Sequence, residues 1–232
     1  MAHIFNLILV QPLLNLMVLV YNLVPDIGVA IIVLTLIIRA LLLPSFGKSL
    51  RAQKQMTDLQ PKLNALREQH KGNKEAEARA MMELYREHKV SPFGSCLPLL
   101  IQIPLLIALY RVFIVGLGSG ADLNPLLYSF VHAPAHISPY FLKVIDLSKP
   151  SIVFGIIAGI AQFFQSKMML PKAGGGDATT KALQFQTLYF LPLITILFSL
   201  RLPAGLPLYW IVTTLFAVGQ QYYIMKTNPT TA

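Results

Sequence analysis

Arg39 is the residue whose position in this sequence most suggests chemistry, because it stands inside a long apolar stretch where a charge is costly. Three glutamines, Gln102, Gln162 and Gln220, stand within other apolar stretches. A guanidinium and a set of amides in a hydrated groove would attract acidic or polar groups. These residue types therefore predict a binding site, with the positive charge of Arg39 as its strongest feature.

The apolar stretches around these residues predict an all-α membrane protein. Of the 232 residues, 55% are hydrophobic and only 12% are charged, which is about half of the ~25% usual in soluble domains. Five stretches approach the ~20 residues that a helix needs to cross a bilayer. The five predicted transmembrane helices are 27–46, 95–117, 151–170, 184–200 and 207–225.

The segments between the predicted spans indicate their orientation. Ten of the 19 Lys and Arg residues fall between Lys48 and Lys89, and cytoplasmic loops of membrane proteins carry such an excess. We therefore expect three segments in the cytoplasm: 47–94, 171–183 and the tail 226–232. The loops expected outside are 118–150 and 201–206, with the amino terminus outside and the carboxyl terminus inside. The same rule accounts for the net charge of +9, so no specific nucleic acid is expected as a partner.

The basic segment 47–94 predicts a short helical hairpin in the cytoplasm. Residues 70–73 (HKGN) are a turn signal, and Asn73 could cap a second helix that begins at Lys74. Apolar residues recur at helical spacing on both arms: Met56, Leu59 and Leu63 on the first, and Met82 and Tyr85 on the second. These stripes either pack on each other or form a surface for another protein.

Residues 1–26 predict an amphipathic helix that lies in the membrane interface. The apolar stretch 4–24 contains Gln11, Asn15 and Asn22, which share one helical face. A polar stripe on an otherwise apolar helix is typical of a segment that lies along the membrane surface. A sixth transmembrane helix is the alternative interpretation.

The large polar side chains of the spans lie at one predicted depth. Counted at about 1.5 Å per helical residue from the cytoplasmic ends, four spans carry such a group about 9–12 Å deep: Arg39, Gln102, Gln162 and Gln220. The outer halves hold smaller hydroxyls that can bond back to their own helix: Ser199, Thr213 and Thr214. This pattern predicts a cavity that is open to the cytoplasm and closed to the outside. A lone intramembrane glutamine, however, more often holds helices together.

Arg39 has no possible counter-charge within the predicted spans, because none of them contains Asp or Glu. Arginine at the centre of a span costs about 2.5–3.5 kcal/mol on insertion scales. We therefore expect its acidic or polar partner to come from outside the chain. A transporter or channel for a small anion would share the buried arginine and is kept as the alternative hypothesis. The spans also lack His, so an enzyme, a metal site and a cofactor are not expected.

Several segments of the sequence together resemble the YidC-type membrane-protein insertases. The matching segments are 39–44 (RALLLP), 94–104 (GSCLPLLIQIP) with 108–110 (ALY), 202–206 (LPAGL) with 208–210 (LYW) and 220–221 (QQ), and more loosely 162–168 (QFFQSKM). They follow in order over nearly the whole chain with family-like spacing. The resemblance implies a helix bundle in the bacterial inner membrane that moves nascent membrane proteins from the cytoplasm into the lipid.

The resemblance also implies roles for individual residues. Arg39 matches the groove arginine that meets hydrophilic parts of the substrate, and Gln162 and Trp210 match groove-lining positions. The full set expected to line the groove is Arg39, Thr35, Gln102, Gln162, Trp210, Gln220 and Thr214. The hairpin is associated with substrate recruitment, which would involve Met56, Leu59, Leu63, Met82 and Tyr85.

The sequence departs from the family pattern at three points. Thr214 stands where many relatives have Asn, which weakens a hydrogen-bonding role there. The tail after Lys226 is short, so docking of a ribosome is in doubt, while a translocation channel of the Sec type and membrane lipids remain expected partners. Without a large extracytoplasmic domain, the sequence is expected to be a minimal form of the family.

Overall fold

The computed structural model describes residues 2–91, 97–117, 123–170 and 178–227. The elements of the amino-terminal part are α1 (Ala2–Phe5), a π-helical turn (Asn6–Val10), α2 (Gln11–Leu23), α3 (Ile27–Gln69), α4 (Lys74–Glu87) and α5 (Leu97–Leu117). Those of the rest are a 3₁₀ turn (Asn124–Leu126), β1 (Tyr140–Phe141), β2 (Ile145–Asp146), α6 (Ile152–Met169), α7 (Ala178–Phe185), a π-helical turn (Gln186–Phe190), α8 (Leu191–Ser199) and α9 (Gly205–Thr227). Parts of the predicted loops and tail, and the predicted start of the second span at 95–96, lie outside the described residues.

Three helical segments in the described part of the chain are long and apolar enough to cross a membrane: His3–Leu23, Ile27–Gln69 and Ile152–Met169. Two shorter apolar helical segments are Leu100–Gly116 and Gln186–Ser199. The protein is thus a mostly helical membrane protein with several apolar helices. Helix α9 is long enough at 23 residues, but polar residues such as Gln220 and Gln221 dilute its apolar character.

Helix α3 does not end where the first span is predicted to end at position 46. It continues to Gln69 as one helix of 43 residues, about 65 Å long at ~1.5 Å per residue. That is about twice the ~30 Å of a hydrocarbon core. The predicted span and the first arm of the hairpin therefore form one continuous helix. Residues 48–69 are rich in Lys, Arg, Gln and Leu, which are good helix formers, and the helix continues through Pro61 to the turn at 70–73.

The first turn of α4 has the predicted cap. The side-chain oxygen of Asn73 accepts a hydrogen bond from the backbone nitrogen of Ala76 at 3.1 Å, and α4 begins at Lys74 as predicted. Helix α4 packs back on the end of α3 through a small core that contains Leu59, Leu63 and Val90.

The amino-terminal helices use their polar face to hold the loop between α5 and α6, which we call the outer loop after its predicted side of the membrane. Asn15 accepts a hydrogen bond from the backbone nitrogen of Tyr128 at 2.6 Å and donates one to the carbonyl oxygen of Leu126 at 3.0 Å. Asn22 donates to the carbonyl oxygen of His132 at 2.8 Å. The two asparagines therefore share a face, and that face contacts protein.

The outer loop in turn positions the first turns of α3 and α9. Asp26 caps α3 through Val29 and also accepts a hydrogen bond from the backbone nitrogen of Leu142 at 2.7 Å. A Cβ at Gly28 would lie 2.0 Å from the ring of Phe141, so only glycine lets β1 approach α3 this closely. The carbonyl oxygens of Leu147 and Lys149 accept hydrogen bonds from the backbone nitrogens of Gly205 and Ala204, respectively, at the start of α9.

The same loop contains a short polar cluster at Asp146. The hydroxyl of Ser148 donates to its carboxylate at 2.5 Å, and Lys149 lies 3.1 Å away. The hydrogen bond from Ser148, with help from Lys149, holds the pKa of Asp146 below its usual value. The carboxylate is therefore charged at neutral pH and fixes the loop that supports α9.

The carboxyl-terminal helices differ from their predicted bounds. The helical segment of the fourth span begins at Ala178 rather than at 184, and α9 extends from Gly205 to Thr227 rather than over 207–225. The predicted loop 201–206 therefore loses its last two residues to α9. The loop carbonyls described above satisfy the first free backbone N–H groups of α9, which lets this helix begin earlier.

Close packing between α6 and α8 depends on Gly155 and Gly159, which are spaced as in a GxxxG motif. A Cβ at Gly155 would lie 2.6 Å from the Cβ of Ser199, and one at Gly159 would lie 2.7 Å from the side chain of Ile196. The two glycines thus allow the backbone of α6 to contact residues of α8 directly.

We predict that Gly155→Ala destabilises the bundle, because the new methyl group would overlap the stiff Ser199 and overpacking costs about 1–3 kcal/mol. Thermal unfolding in detergent micelles should show a melting temperature lower by about 2–12 °C, at ~2–4 °C per kcal/mol. Gly219→Ala is the matched control, because nothing lies within 4 Å of its Cβ position. Equal melting temperatures for the two variants would contradict the close α6–α8 contact.

Candidate functional site

Arg39 is buried against α9 and against its own helix. Its residue surface is 7% exposed, and its Nε donates a long hydrogen bond to Oγ1 of Thr213 at 3.5 Å. The guanidinium carbon lies 4.4 Å from the ring centroid of Phe46. Phe46 stands seven residues, or two helical turns, further along α3, so the two side chains lie on the same face. The charge is therefore covered by an aromatic ring.

These contacts compensate only part of the cost of burying the charge. A cation–π contact contributes about 0.5–2 kcal/mol, and a hydrogen bond at 3.5 Å is at the weak limit. Among the described residues, no carboxylate forms an ion pair with Arg39. A guanidinium has five N–H donors, and most of those of Arg39 have no acceptor among the described side chains. The site thus has capacity for an anionic partner.

Gln102 reaches the same cluster from α5. Its Nε2 donates to the hydroxyl of Tyr209 at 2.6 Å, and Tyr209 stands one helical turn before Thr213 on α9. Tyr209 is 1% exposed. Arg39 and Gln102 therefore meet through Tyr209 and Thr213 on two successive turns of α9. Tyr209 was not predicted to be a site residue, although it stands four residues before Thr213 and therefore on the same face of the helix.

The other residues of α3 and α9 that were predicted to line a groove lie near this cluster, and Gln220 and Thr35 have partners of their own. Nε2 of Gln220 donates to the carbonyl oxygen of Leu43 at 3.2 Å, one turn beyond Arg39. The hydroxyl of Thr35 bonds back to Ile31 of its own helix at 2.6 Å and is buried. Thr214 is buried as well. Thr35 is thus satisfied by its own helix, whereas Gln220 joins α9 to α3.

The hydrogen bond of Gln162 joins it to α8 and not to the Arg39 cluster. Its Oε1 accepts a bond from the hydroxyl of Thr195 on α8 at 2.5 Å. This contact lies beside the GxxxG face where α6 and α8 approach. It is the helix-joining role that lone intramembrane glutamines most often have.

Trp210 lies in an apolar cavity rather than beside Arg39. Successive helical residues point about 100° apart, so Tyr209 and Trp210 face different sides of α9. The cavity is about 330 Å³ in volume, is open on one side, and is lined by side chains of α5, α8 and α9 and of the short loop before α9. Its described lining residues are Leu106, Ile107, Tyr110, Phe198, Leu202, Leu206 and Trp210. Polar and apolar surfaces therefore meet along α9.

The hairpin residues predicted for recruitment are mostly turned inward. Leu59 and Leu63 form the small core between α3 and α4, and Met56 and Tyr85 pack on it. Met82 is different, because it is 62% exposed. The two apolar stripes thus pack on each other, and Met82 remains as the large apolar side chain of this set that faces solvent. No group of three or more potential metal ligands occurs in the described part of the chain.

Comparisons with known proteins match nearly the whole chain. The family model described as 60Kd inner membrane protein matches residues 19–231. The "Membrane protein insertase YidC" of Pelobacter propionicus is 34% identical, with 94% of this chain and 39% of that protein covered. The protein of the same name from Magnetococcus marinus is 36% identical, with 94% and 35% covered. This chain thus spans between a third and two fifths of the length of these relatives.

A relative of similar length and a solved structure also match. The "Membrane protein insertase YidC" of Fusobacterium nucleatum subsp. nucleatum is 36% identical, with 97% of this chain and 98% of that protein covered. A crystal structure described as "Active YidC insertase crystal structure with the first transmembrane domain resolved" superposes with a TM-score of 0.60. The sequences are 26% identical, and the superposition covers 88% of this chain and 43% of the chain in that structure.

We predict that Gln162 and Thr195 are energetically coupled as a helix-joining pair. In a double-mutant cycle with Gln162→Ala and Thr195→Val, the coupling should be near the ~0.6 kcal/mol average of membrane hydrogen bonds, and at most ~1.7 kcal/mol. Unfolding free energies measured in mixed micelles provide the four corners of the cycle. A coupling of zero would show that Gln162 is free for a role in the groove.

Proposed function

Because the chain belongs to the 60Kd inner membrane protein family, we propose that it is an insertase that moves nascent polypeptides from the cytoplasm into the bilayer. The observation that carries this proposal is a buried, cationic Arg39 without a carboxylate partner among the described residues. An acidic or polar segment of a passing polypeptide would supply that partner. No bond is made or broken in this process, so the proposed activity is not enzymatic.

The proposed site lowers the cost of taking polar groups into the membrane. A polar loop that crosses ~30 Å of hydrocarbon would leave its backbone and side-chain groups unsatisfied. Arg39, Gln102 and Tyr209 offer hydrogen-bonding groups part of the way across. The polar segment therefore has protein partners over the cytoplasmic part of the path, and only the remainder is dry.

Entry of an acidic group requires Phe46 to leave the guanidinium. A charge-assisted hydrogen bond contributes about 1.5–3 kcal/mol, whereas the cation–π contact contributes about 0.5–2 kcal/mol. A carboxylate that forms two such bonds with Arg39 would therefore displace the ring. The observed arrangement is the closed state in this proposal, and the hydrated groove forms when substrate enters.

The apolar cavity beside Trp210 would receive the apolar part of the same substrate. It faces a different side of α9 from Tyr209 and is lined by residues of both α5 and α8. Each Leu or Ile that reaches the bilayer centre contributes about 0.3–0.6 kcal/mol of driving force on the insertion scale. A substrate could thus place its polar tail at Arg39 and its apolar segment at Trp210, and then move sideways into lipid.

The proposed topology has five spans, with the amino terminus outside and the carboxyl terminus in the cytoplasm. The excess of Lys and Arg along the end of α3 and in α4 supports this orientation. The hairpin formed by these helices would then project into the cytoplasm. Met82, on its exposed surface, is the residue of the predicted recruitment set that could first contact a nascent chain.

The amino-terminal helix is proposed to lie along the outer membrane surface. Asn6 contacts Arg111 of α5, and Met17 packs on Gly116 of α5. The two contacts are eleven residues apart on the amino-terminal helix, which is about 16 Å at ~1.5 Å per residue. On α5 they are only five residues apart, which is about 8 Å. A helix that crossed the membrane alongside α5 would match it nearly residue for residue. The oblique crossing supports the interfacial position over a sixth span.

We predict that Arg39→Ala slows insertion of a small membrane protein whose translocated tail is acidic. The expected decrease is about tenfold or more, because a charge-assisted hydrogen bond of ~1.5–3 kcal/mol is lost. Arg39→Lys keeps the charge without the planar fork and should retain part of the activity. Protease protection of the tail in proteoliposomes measures the rate.

The matched substrate has Asn and Gln in place of the tail's Asp and Glu, and its insertion should be much less sensitive to Arg39→Ala. Arg201→Ala removes an exposed arginine outside the site and serves as the control variant. The electrostatic role of Arg39 is refuted if the acidic tail inserts at the normal rate into membranes that contain Arg39→Ala.

A further inference from the structure

A second cavity lies between the amino-terminal helix and α5, away from Arg39. It has a volume of about 490 Å³ and is closed on a third side by Pro125 and Leu126 of the outer loop. This volume is within the ~300–1,000 Å³ range of small-molecule sites. One of its lining residues is an arginine that the proposed insertase site does not use, Arg111.

Arg111 is not simply extended towards water, as its place near the end of a span would suggest. Its Nη1 donates to Oδ1 of Asn6 at 2.7 Å, and its guanidinium carbon lies 5.4 Å from the ring centroid of Phe5. Both partners are on the amino-terminal helix. Arg111 is an exposed residue that contacts this helix, and among the described residues only one of its five N–H donors has an acceptor.

The cavity has a polar, cationic part and an apolar part. His3, Gln11 and Tyr110 line it together with Arg111, whereas Leu7, Val10 and Ile114 are among its apolar walls. None of the described residues that line it is Asp or Glu. The chemistry is therefore complementary to a molecule with one anionic group and an attached hydrocarbon chain.

The depth of the cavity indicates which such molecule is available. Arg111 stands six residues before the end of α5 at Leu117, which is about 9 Å along the helix. In the proposed topology this position is in the outer part of the membrane, from which a long arginine side chain can extend towards the phosphate groups of phospholipids. A free phosphate would leave the apolar walls uncovered, and an uncharged lipid would leave Arg111 without a counter-charge.

We infer that this cavity is a binding site for one membrane phospholipid, whose phosphate pairs with Arg111 and whose acyl chain covers the apolar wall between the amino-terminal helix and α5. The lipid would tie the interfacial helix to the bundle. Tyr110 lines both this cavity and the one beside Trp210, so the bound lipid would lie next to the apolar surface of the proposed insertion site. The site does not depend on the proposed insertase activity.

The test is thermal unfolding of the purified, delipidated protein in a non-ionic detergent with three additives: phosphatidylglycerol, diacylglycerol and inorganic phosphate. Phosphatidylglycerol at tenfold above its Kd should raise the melting temperature by about 3–6 °C, and the other two should leave it unchanged. Native mass spectrometry should show one retained phosphatidylglycerol. In Arg111→Gln both effects should be lost, whereas Arg201→Gln, at an exposed arginine between α8 and α9, should behave as the unchanged protein.

Asn6→Ala separates lipid binding from a purely structural role of Arg111. This variant loses the Asn6 hydrogen bond but keeps the cation, so it should start from a lower melting temperature and still respond to phosphatidylglycerol. Arg111→Lys should retain part of the response and covers the case that Arg111→Gln does not fold. The inference is overturned if phosphatidylglycerol raises the melting temperature of Arg111→Gln as much as that of Asn6→Ala. Where Arg111→Gln does not fold, an equal response of Arg111→Lys and Asn6→Ala overturns it. It is also overturned if diacylglycerol or inorganic phosphate raises the melting temperature as much as phosphatidylglycerol.

Discussion

A cation buried among apolar helices needs compensation, and the way Arg39 obtains it determines the rest of the site. Insertion scales put the cost at about 2.5–3.5 kcal/mol. The ring of Phe46 and a long hydrogen bond to Thr213 supply part of this. No carboxylate supplies the remainder among the residues that the structure describes. The observed arrangement is therefore stable enough to fold, and in the proposed mechanism its free energy decreases when an acidic group pairs with Arg39.

Helix α9 connects this polar site to the apolar cavity, because adjacent residues of a helix point in different directions. Tyr209 faces α3 and α5, where it joins Gln102 to the Arg39 cluster. Trp210 faces the cavity bounded by α5 and α8. The outer loop holds the start of α9 through Leu147 and Lys149, so the rotation of this helix is fixed. A polar and an apolar segment of one polypeptide could therefore be bound side by side.

The sequence pattern pointed to Arg39 and Gln102, but it did not predict Tyr209 or the partners of the polar side chains. Composition and spacing led to Arg39, Gln102 and the cap at Asn73, because each depends on local pattern and depth. The partner of Gln162 could not be predicted, since its contact with Thr195 depends on how closely the glycines of α6 let α8 approach. Likewise, the rotation of α9 about its axis determines that Tyr209, and not Trp210, contacts Gln102. The ring of Phe46 could have been anticipated from its seven-residue spacing.

The central claim is that the counter-charge of Arg39 comes from the polar tail of a passing substrate. Photocrosslinking from single positions to a stalled nascent membrane protein measures this directly. A photoreactive residue at Gln102 should capture the acidic tail, and one at Trp210 should capture the apolar segment of the same chain. Crosslinks formed only from Met82 in the hairpin, with none from Gln102 or Trp210, would contradict the account.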